Sequence, residues 1–214
     1  MPVIDSKTGK VVKDYSVEEL KTLANEMRAY NLLSLCAAGS GHAGGTLSAM
    51  DITAALYLKV MNHDPKNPQW DDRDRLFWST GHKAPNLYLG LAFSGYFDKK
   101  ECLKLRKLWG NFEGHPNRFK LAGIEVSSGS LGQGLSIATG CALRGKLDKK
   151  DYGVFCIMGD GEQQEGQVWE AAMEAAQFKL DNLVAIVDKN KLQIDGRVKD
   201  VMNVFPLAER YKSF

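Results

Sequence analysis

The apolar positions of this chain change period several times, and each change marks an element. Ser16-Val-Glu-Glu19 has the form of a capping box, and Leu20, Leu23, Met27, Tyr30, Leu33 and Leu35 follow at helical spacing. This helix is expected to stop at Gly39, a residue suited to the left-handed position just past a helix. After the glycine-rich stretch Gly39-Ser-Gly-His-Ala-Gly-Gly45, a second apolar helix is expected from about Thr46 to Met61. Further helices are expected at about 86–94, 98–109 and 131–145. Arg75-Leu-Phe-Trp-Ser79 reads as a short buried strand.

The clearest unit lies further on. Val154-Phe-Cys-Ile-Met158 is a continuous apolar run that ends in Gly159-Asp-Gly161. Such a run predicts a strand buried on both faces, as in a parallel sheet. The helix after it carries Val168, Trp169, Ala172, Met173 and Ala176 on one face, and Leu183-Val-Ala-Ile-Val187 then repeats the buried-strand pattern. This is a βαβ unit with a right-handed crossover. The expected fold class is α/β, a mostly parallel sheet with helices on both faces. The expected organisation is an N-terminal arm, residues 1–15, followed by one domain, residues 16–214.

Composition narrows the function. The chain has 214 residues, 44% of them hydrophobic and 25% charged, as in an ordinary soluble globular protein. A net charge of +2, with basic and acidic residues mixed, gives no reason to expect nucleic-acid binding. No stretch approaches the ~20 apolar residues of a membrane span, and Met1 to Asp14 lacks the apolar core of a signal peptide. Cys36, Cys102, Cys141 and Cys156 form no CxxC pair and sit among apolar residues. They are expected as buried free thiols, which suits a reducing cytoplasm.

The candidate chemistry follows from the βαβ unit. In open α/β sheets ligands bind at the C-terminal edge of the strands. Asp160 lies just beyond the first strand and Asn190 just beyond the second, so the crossover brings a carboxylate and an amide oxygen together. Both are hard oxygen ligands suited to Mg²⁺ or Ca²⁺. Gly159 and Gly161 leave room for a phosphate, and a helix beginning after Gly161 would add amide donors. The expected ligand is a diphosphate bridged by a divalent metal. Three of the four histidines follow a glycine on an expected loop: His42, His82 and His115. They are the candidate proton carriers near neutral pH. His63, before Asp64-Pro65, has no such context and is expected at the surface.

Gly159-Asp-Gly161 at a strand end, a helix, and an asparagine beyond the next strand form the thiamine diphosphate fingerprint. The string Gly159-Asp-Gly-Glu-Gln-Gln-Glu-Gly-Gln-Val-Trp-Glu-Ala171 resembles transketolase in particular. So do Gly39-Ser-Gly-His-Ala-Gly, Ser79-Thr-Gly-His, Glu113-Gly-His-Pro, Gly129-Ser-Leu-Gly-Gln-Gly and Asp188-Lys-Asn-Lys-Leu. The resemblance runs from about Ser16 to Phe214. It implies that Asp160, Asn190 and the Leu192 carbonyl ligate Mg²⁺, with Ca²⁺ or Mn²⁺ as substitutes. It implies that Gly159, Gly161 and His82 contact the diphosphate of thiamine diphosphate. Gly129 and Leu131 would line the cofactor, and His42 and His115 would face a ketose donor. Glu165 and Glu170 resemble the family's buried glutamates at the subunit contact, although an exposed helical carboxylate is an equal reading of Glu170. Ser130 stands where many transketolases carry proline.

The implied activity is transfer of a two-carbon ketol unit between sugar phosphates. Thiamine chemistry also needs a glutamate against the aminopyrimidine, and in transketolases it belongs to a pyrimidine-binding domain absent from this sequence. The expectation is therefore a chain inactive alone, partnered by a C-terminal transketolase subunit with two copies of each chain, or else a fragment of a longer chain. The ending at Phe214 reads as a truncation that leaves the sheet short of an edge strand. The competing readings are another thiamine diphosphate-dependent synthase, of the deoxyxylulose phosphate or dihydroxyacetone type, and a non-catalytic scaffold subunit.

Overall fold

The computed structural model describes residues 3–194 and 196–214. The chain divides into two compact units, one formed by residues up to Arg75 with Gly81–Ser127, the other by Leu76–Thr80 with Ser128–Phe214.

The first unit opens with an antiparallel hairpin, β1 (Val3–Asp5) and β2 (Lys10–Lys13). Val3 and Ile4 are buried, and the Ile4 amide donates to the His63 carbonyl at 2.9 Å. Helix α1 (Val17–Ala38) starts as its sequence predicts. The Ser16 amide donates to Glu19 Oε2 at 2.8 Å and the Glu19 amide donates back to Ser16 Oγ at 3.3 Å. Gly39 ends it at φ 71°, where a side chain would be strained. The apolar helix expected over 46–61 is instead α2 (Ala43–Ser48), α3 (Met50–Ala55) and a π turn at Leu56–Val60. Ala49, at φ −91° and ψ 4°, interrupts the helical run. Helix α4 (Ala84–Ser94) follows a 3₁₀ turn at Gly81–Lys83 and is buried on nearly every side.

A buried amide network ties these helices together. Asn31 Nδ2 donates to Thr46 Oγ1 at 2.8 Å, and Asn86 Nδ2 donates to the Thr46 carbonyl at 2.9 Å and to Thr53 Oγ1 at 3.2 Å. The network anchors α2, and with it the glycine-rich loop that precedes α2. The helix expected over 98–109 is only a 3₁₀ segment, Lys99–Lys104, begun by Asp98 accepting from the Lys100 amide at 2.8 Å. Leu105 turns extended and Arg106 goes to φ 57°, which ends any helix there.

The second unit holds a three-stranded sheet in the order β3-β4-β5: β3 (Arg75–Trp78), β4 (Val154–Gly159) and β5 (Leu183–Asp188). Helix α5 (Gln133–Leu147) packs against β4 and against α6 (Gly166–Gln177), the crossover helix between β4 and β5. Strands β4 and β5 pair in parallel from Val154↔Leu183 to Gly159↔Asp188. The α/β class expected from the sequence is the observed one. A short hairpin, β6 (Leu192–Gln193) with β7 (Gly196–Arg197), and helices α7 (Val198–Val201) and α8 (Leu207–Tyr211) complete the unit.

Three expectations are corrected here. Strand β4 is buried as predicted, but β5 is not, since Val184 is 45% exposed. It is one of the two edge strands among the described residues, and an apolar run reports what a strand can bury, not what covers it. Cys102 and Cys156 are buried, whereas Cys36 is exposed and Cys141 half-buried. His63 is not at the surface. It is 2% exposed, with Nε2 2.9 Å from the Tyr57 carbonyl and Nδ1 3.2 Å from the Tyr96 hydroxyl.

Candidate functional site

In the second unit the site grows from the parallel pair. Register Gly159↔Asp188 sets the two strand ends level, so that Asp160, one residue past β4, and Asn190, two past β5, leave the sheet at the same edge. Asp160 is 1% exposed. Its Oδ1 accepts from the Gly161 amide at 3.0 Å and its Oδ2 from the Lys191 amide at 2.8 Å. Burial raises its pKa, with Asp188 adding to the rise and the amide donors opposing it. A buried carboxylate held by neutral amides, with a second carboxylate nearby, suits a cation. Asn190 Oδ1 accepts from the Leu192 amide at 3.0 Å. Among the described residues no three His, Cys, Asp or Glu side chains gather into a metal site. A magnesium ion held by one carboxylate, an amide or carbonyl oxygen and phosphates needs none. A Cβ on Gly161 would lie 3.0 Å from Gln193 Oε1 and one on Gly159 3.3 Å from Thr80 Cγ2, so side chains there would fill the strand-end space.

The α-helix expected directly after Gly161 begins later. A 3₁₀ turn, Gly161–Gln164, intervenes and α6 starts at Gly166. That turn carries the residue sequence reading missed, Glu162. It is 2% exposed, and its carboxylate accepts from the Gly132 amide at 2.8 Å, from the Gly159 amide at 3.0 Å and from Ser79 Oγ. Ser79 Oγ in turn accepts from the Gly134 amide at 3.1 Å. One buried carboxylate thus joins the end of β3, the end of β4 and the 128–134 loop, which carries Gly129 and Leu131. Gly132 sits at φ 83°, and a Cβ there would fall 2.6 Å from Glu165 Cβ, so this corner requires glycine. The signal was present in the sequence as an acidic residue directly after Gly159-Asp-Gly161. Glu165 and Glu170 are exposed on this chain.

In the first unit the structure gathers histidines. The rings of His42 and His82 lie 5.2 Å apart at 61°. His42 heads α2, and His82 is half-buried in the turn before α4. Burial first, then the charge of Lys83 and the neighbouring His42 and His115, push the His82 pKa down to about 4. His42 is lowered by burial and then by Arg106 and His115. The Tyr88 hydroxyl donates to the Glu113 carbonyl at 2.8 Å and so fixes the loop that carries His115. His63 belongs to a separate buried cluster with Tyr57 and Tyr96.

The transketolase thiamine diphosphate binding domain matches residues 19–214 of this chain. The chain belongs to that family. A Clostridium sp. (strain MSTE9) protein named 6-deoxy-6-sulfo-D-fructose transketolase subunit SqwG is 41% identical over 196 residues, covering 92% of this chain and 71% of that protein. An apulose-4-phosphate transketolase subunit from Phocaeicola vulgatus is 40% identical over 198 residues, covering 92% and 70%. The solved transketolase of Campylobacter jejuni superposes with a TM-score of 0.86 at 33% identity, over 93% of this chain but 32% of its own. The chain therefore spans about 70% of the transketolases named as subunits and about a third of that larger one. Among the described residues no helix is long and apolar enough to cross a membrane.

Proposed function

We propose that this chain is the diphosphate- and metal-binding subunit of a two-chain transketolase. It would transfer a two-carbon ketol unit between sugars that carry a terminal anionic group. The observation that carries this reading is Asp160, a buried carboxylate held by backbone amides at the strand edge beside Gly159 and Gly161, where β5 also ends. Asp160, Asn190 and the Leu192 carbonyl would hold Mg²⁺, with Gly159 and Gly161 admitting the diphosphate it bridges. Gly129 and Leu131 would line the cofactor. Thiamine diphosphate, when bound, supplies the carbon nucleophile that two-carbon transfer needs. His42, His82 and His115 would bind the diphosphate or ketose and move protons, a task suited to His82, whose low pKa leaves a nitrogen free to accept one. Glu165 and Glu170, exposed here, would face the partner chain. That partner supplies the pyrimidine-binding domain, and the names of the two subunit relatives support the arrangement. The same names are the reason to try sulfonated sugars beside sugar phosphates as substrates of this chain.

The test is to express the chain with and without its partner, recovered by tagged pull-down. Ketol transfer from xylulose 5-phosphate to ribose 5-phosphate is then assayed, and from a sulfonated ketose in parallel. Thiamine- and Mg²⁺-dependent turnover with the partner, and none from the chain alone, is expected. Turnover by the pure chain would defeat the two-chain reading, and cofactor-independent turnover would defeat the assignment as a whole.

A further inference from the structure

Gln163 follows Glu162 in the Gly161–Gln164 turn and is itself 1% exposed. A primary amide buried to this degree needs partners for both its NH2 group and its oxygen. Gln163 Nε2 donates to the Gly159 carbonyl at 2.9 Å, and Gln163 Oε1 accepts from the Tyr211 hydroxyl at 2.5 Å. These roles follow from the partners. A carbonyl oxygen only accepts, so the NH2 group must face Gly159, and the amide oxygen is left to take the tyrosine proton. Tyr211 stands on α8, 48 residues further along the chain. Its ring also packs on the Trp169 indole, with centroids 5.1 Å apart, and Trp169 Nε1 donates to the Gln163 main-chain carbonyl at 2.9 Å. One aromatic pair thus holds Gln163 by its side chain and by its backbone.

The carbonyl that Gln163 grips belongs to the peptide plane whose nitrogen is that of Asp160. The N–H of the same plane donates to the Asp188 carbonyl at 3.3 Å, a longer bond than the 2.9 Å contact with Gln163. A planar peptide held at both edges cannot rotate, and its plane sets the direction in which Asp160 leaves the strand. We propose that Tyr211 is a positioning residue for Asp160: through Gln163 it fixes the Gly159–Asp160 peptide, and so the aim of the carboxylate at a cation. The inference rests on the cation-binding role proposed for Asp160. Docking of α8 does not depend on the hydroxyl, because Leu207 packs with Val198 and Val204, and Gln164 Nε2 donates to the Met202 carbonyl at 2.9 Å. Removing the hydroxyl alone therefore separates positioning from folding.

Tyr211→Phe keeps the ring on Trp169 and leaves the Gln163 oxygen without its donor. In the full chain without cofactor, hydrogen exchange of the Gly161 and Lys191 amides, the two that hold Asp160, should quicken about fivefold, the worth of one hydrogen bond. The affinity for thiamine diphosphate with Mg²⁺, read by calorimetry, should fall about tenfold, as when a group that orients a metal ligand is lost. Gln163→Leu should do the same, and adding Tyr211→Phe to it should cost nothing further, because the path from Tyr211 to Gly159 is already cut. Unchanged exchange in Tyr211→Phe, additive effects in the double variant, or faster exchange with unchanged affinity each overturn the proposal. If Gln163→Leu does not fold, Tyr211→Phe decides alone. A wild-type chain that binds no thiamine diphosphate with Mg²⁺ would count against the functional reading, and the exchange rates would still decide whether Tyr211 positions Asp160.

Discussion

At the end of β4 the buried charges are carboxylates met by backbone amides, whereas at the start of α4 a half-buried histidine, His82, has the exposed His42 ring beside it and basic neighbours that oppose its protonation. Asp160 and Glu162 offer negative charge that neutral donors orient without cancelling. His42 and His82 sit where protonation is opposed. The first region would suit a cation and the second neutral imidazoles, and their responses to pH have opposite signs. Asp160 has a raised pKa, so without metal its contribution to stability is present below its ordinary value of 3.8 and is lost as the pH rises through the folded value. His42, His63 and His82 have lowered pKa values, so theirs is present above 6.5 and is lost as the pH falls through the folded values.

The strongest way to break this contrast is Asp160→Ala. Metal-dependent binding of thiamine diphosphate, read by calorimetry, should weaken by about 100-fold, or ~2.7 kcal/mol. Asp160→Asn should lose binding similarly, since its NH2 group can neither ligate a cation nor accept the hydrogen bond that one Asp160 oxygen takes from the backbone. A wild-type affinity in either variant would place the metal elsewhere. Next in size is Glu162→Ala, which strands two buried amides and the Ser79 hydroxyl and should cost about 3 kcal/mol in urea unfolding. A loss below ~1 kcal/mol would mean that water replaces the carboxylate. The smallest effect sharpens the other side. His63 is buried and neutral, and the stability of the chain should drop by about 1 kcal/mol more between pH 7 and pH 5 than that of His63→Gln, whatever the variant costs at pH 7. Parallel pH profiles would show that His63 protonates without penalty.

Elements specified by local pattern were legible in the sequence. The capping box of α1, the left-handed stop at Gly39 and the βαβ unit each depend on residues within a turn or on an unbroken period. Glu162 was not legible as an organiser, because Ser79 lies 83 residues away along the chain and Gly132 lies 30 away. His63 was misread for the same reason, since Tyr96, 33 residues on, buries it. The exposed face of β5 was misread because apolar side chains do not announce which of them will be covered. The truncated helix at Lys99–Lys104 depends on the left-handed turn at Arg106, a backbone choice that helical spacing of Leu and Lys cannot reveal.

The in-step pairing of β4 and β5 has a consequence for how this protein can change over time. Because Gly159 faces Asp188 and the Lys191 amide donates to Asp160 Oδ2, the approach of Asp160 to the segment that carries Asn190 is set by the strand ends and that hydrogen bond. The outer face of α6 can therefore drift in sequence without altering that approach. A lineage could remodel the far side of this unit to suit new neighbours and keep the same pair of oxygens, as a hinge keeps its gap while the door is recut.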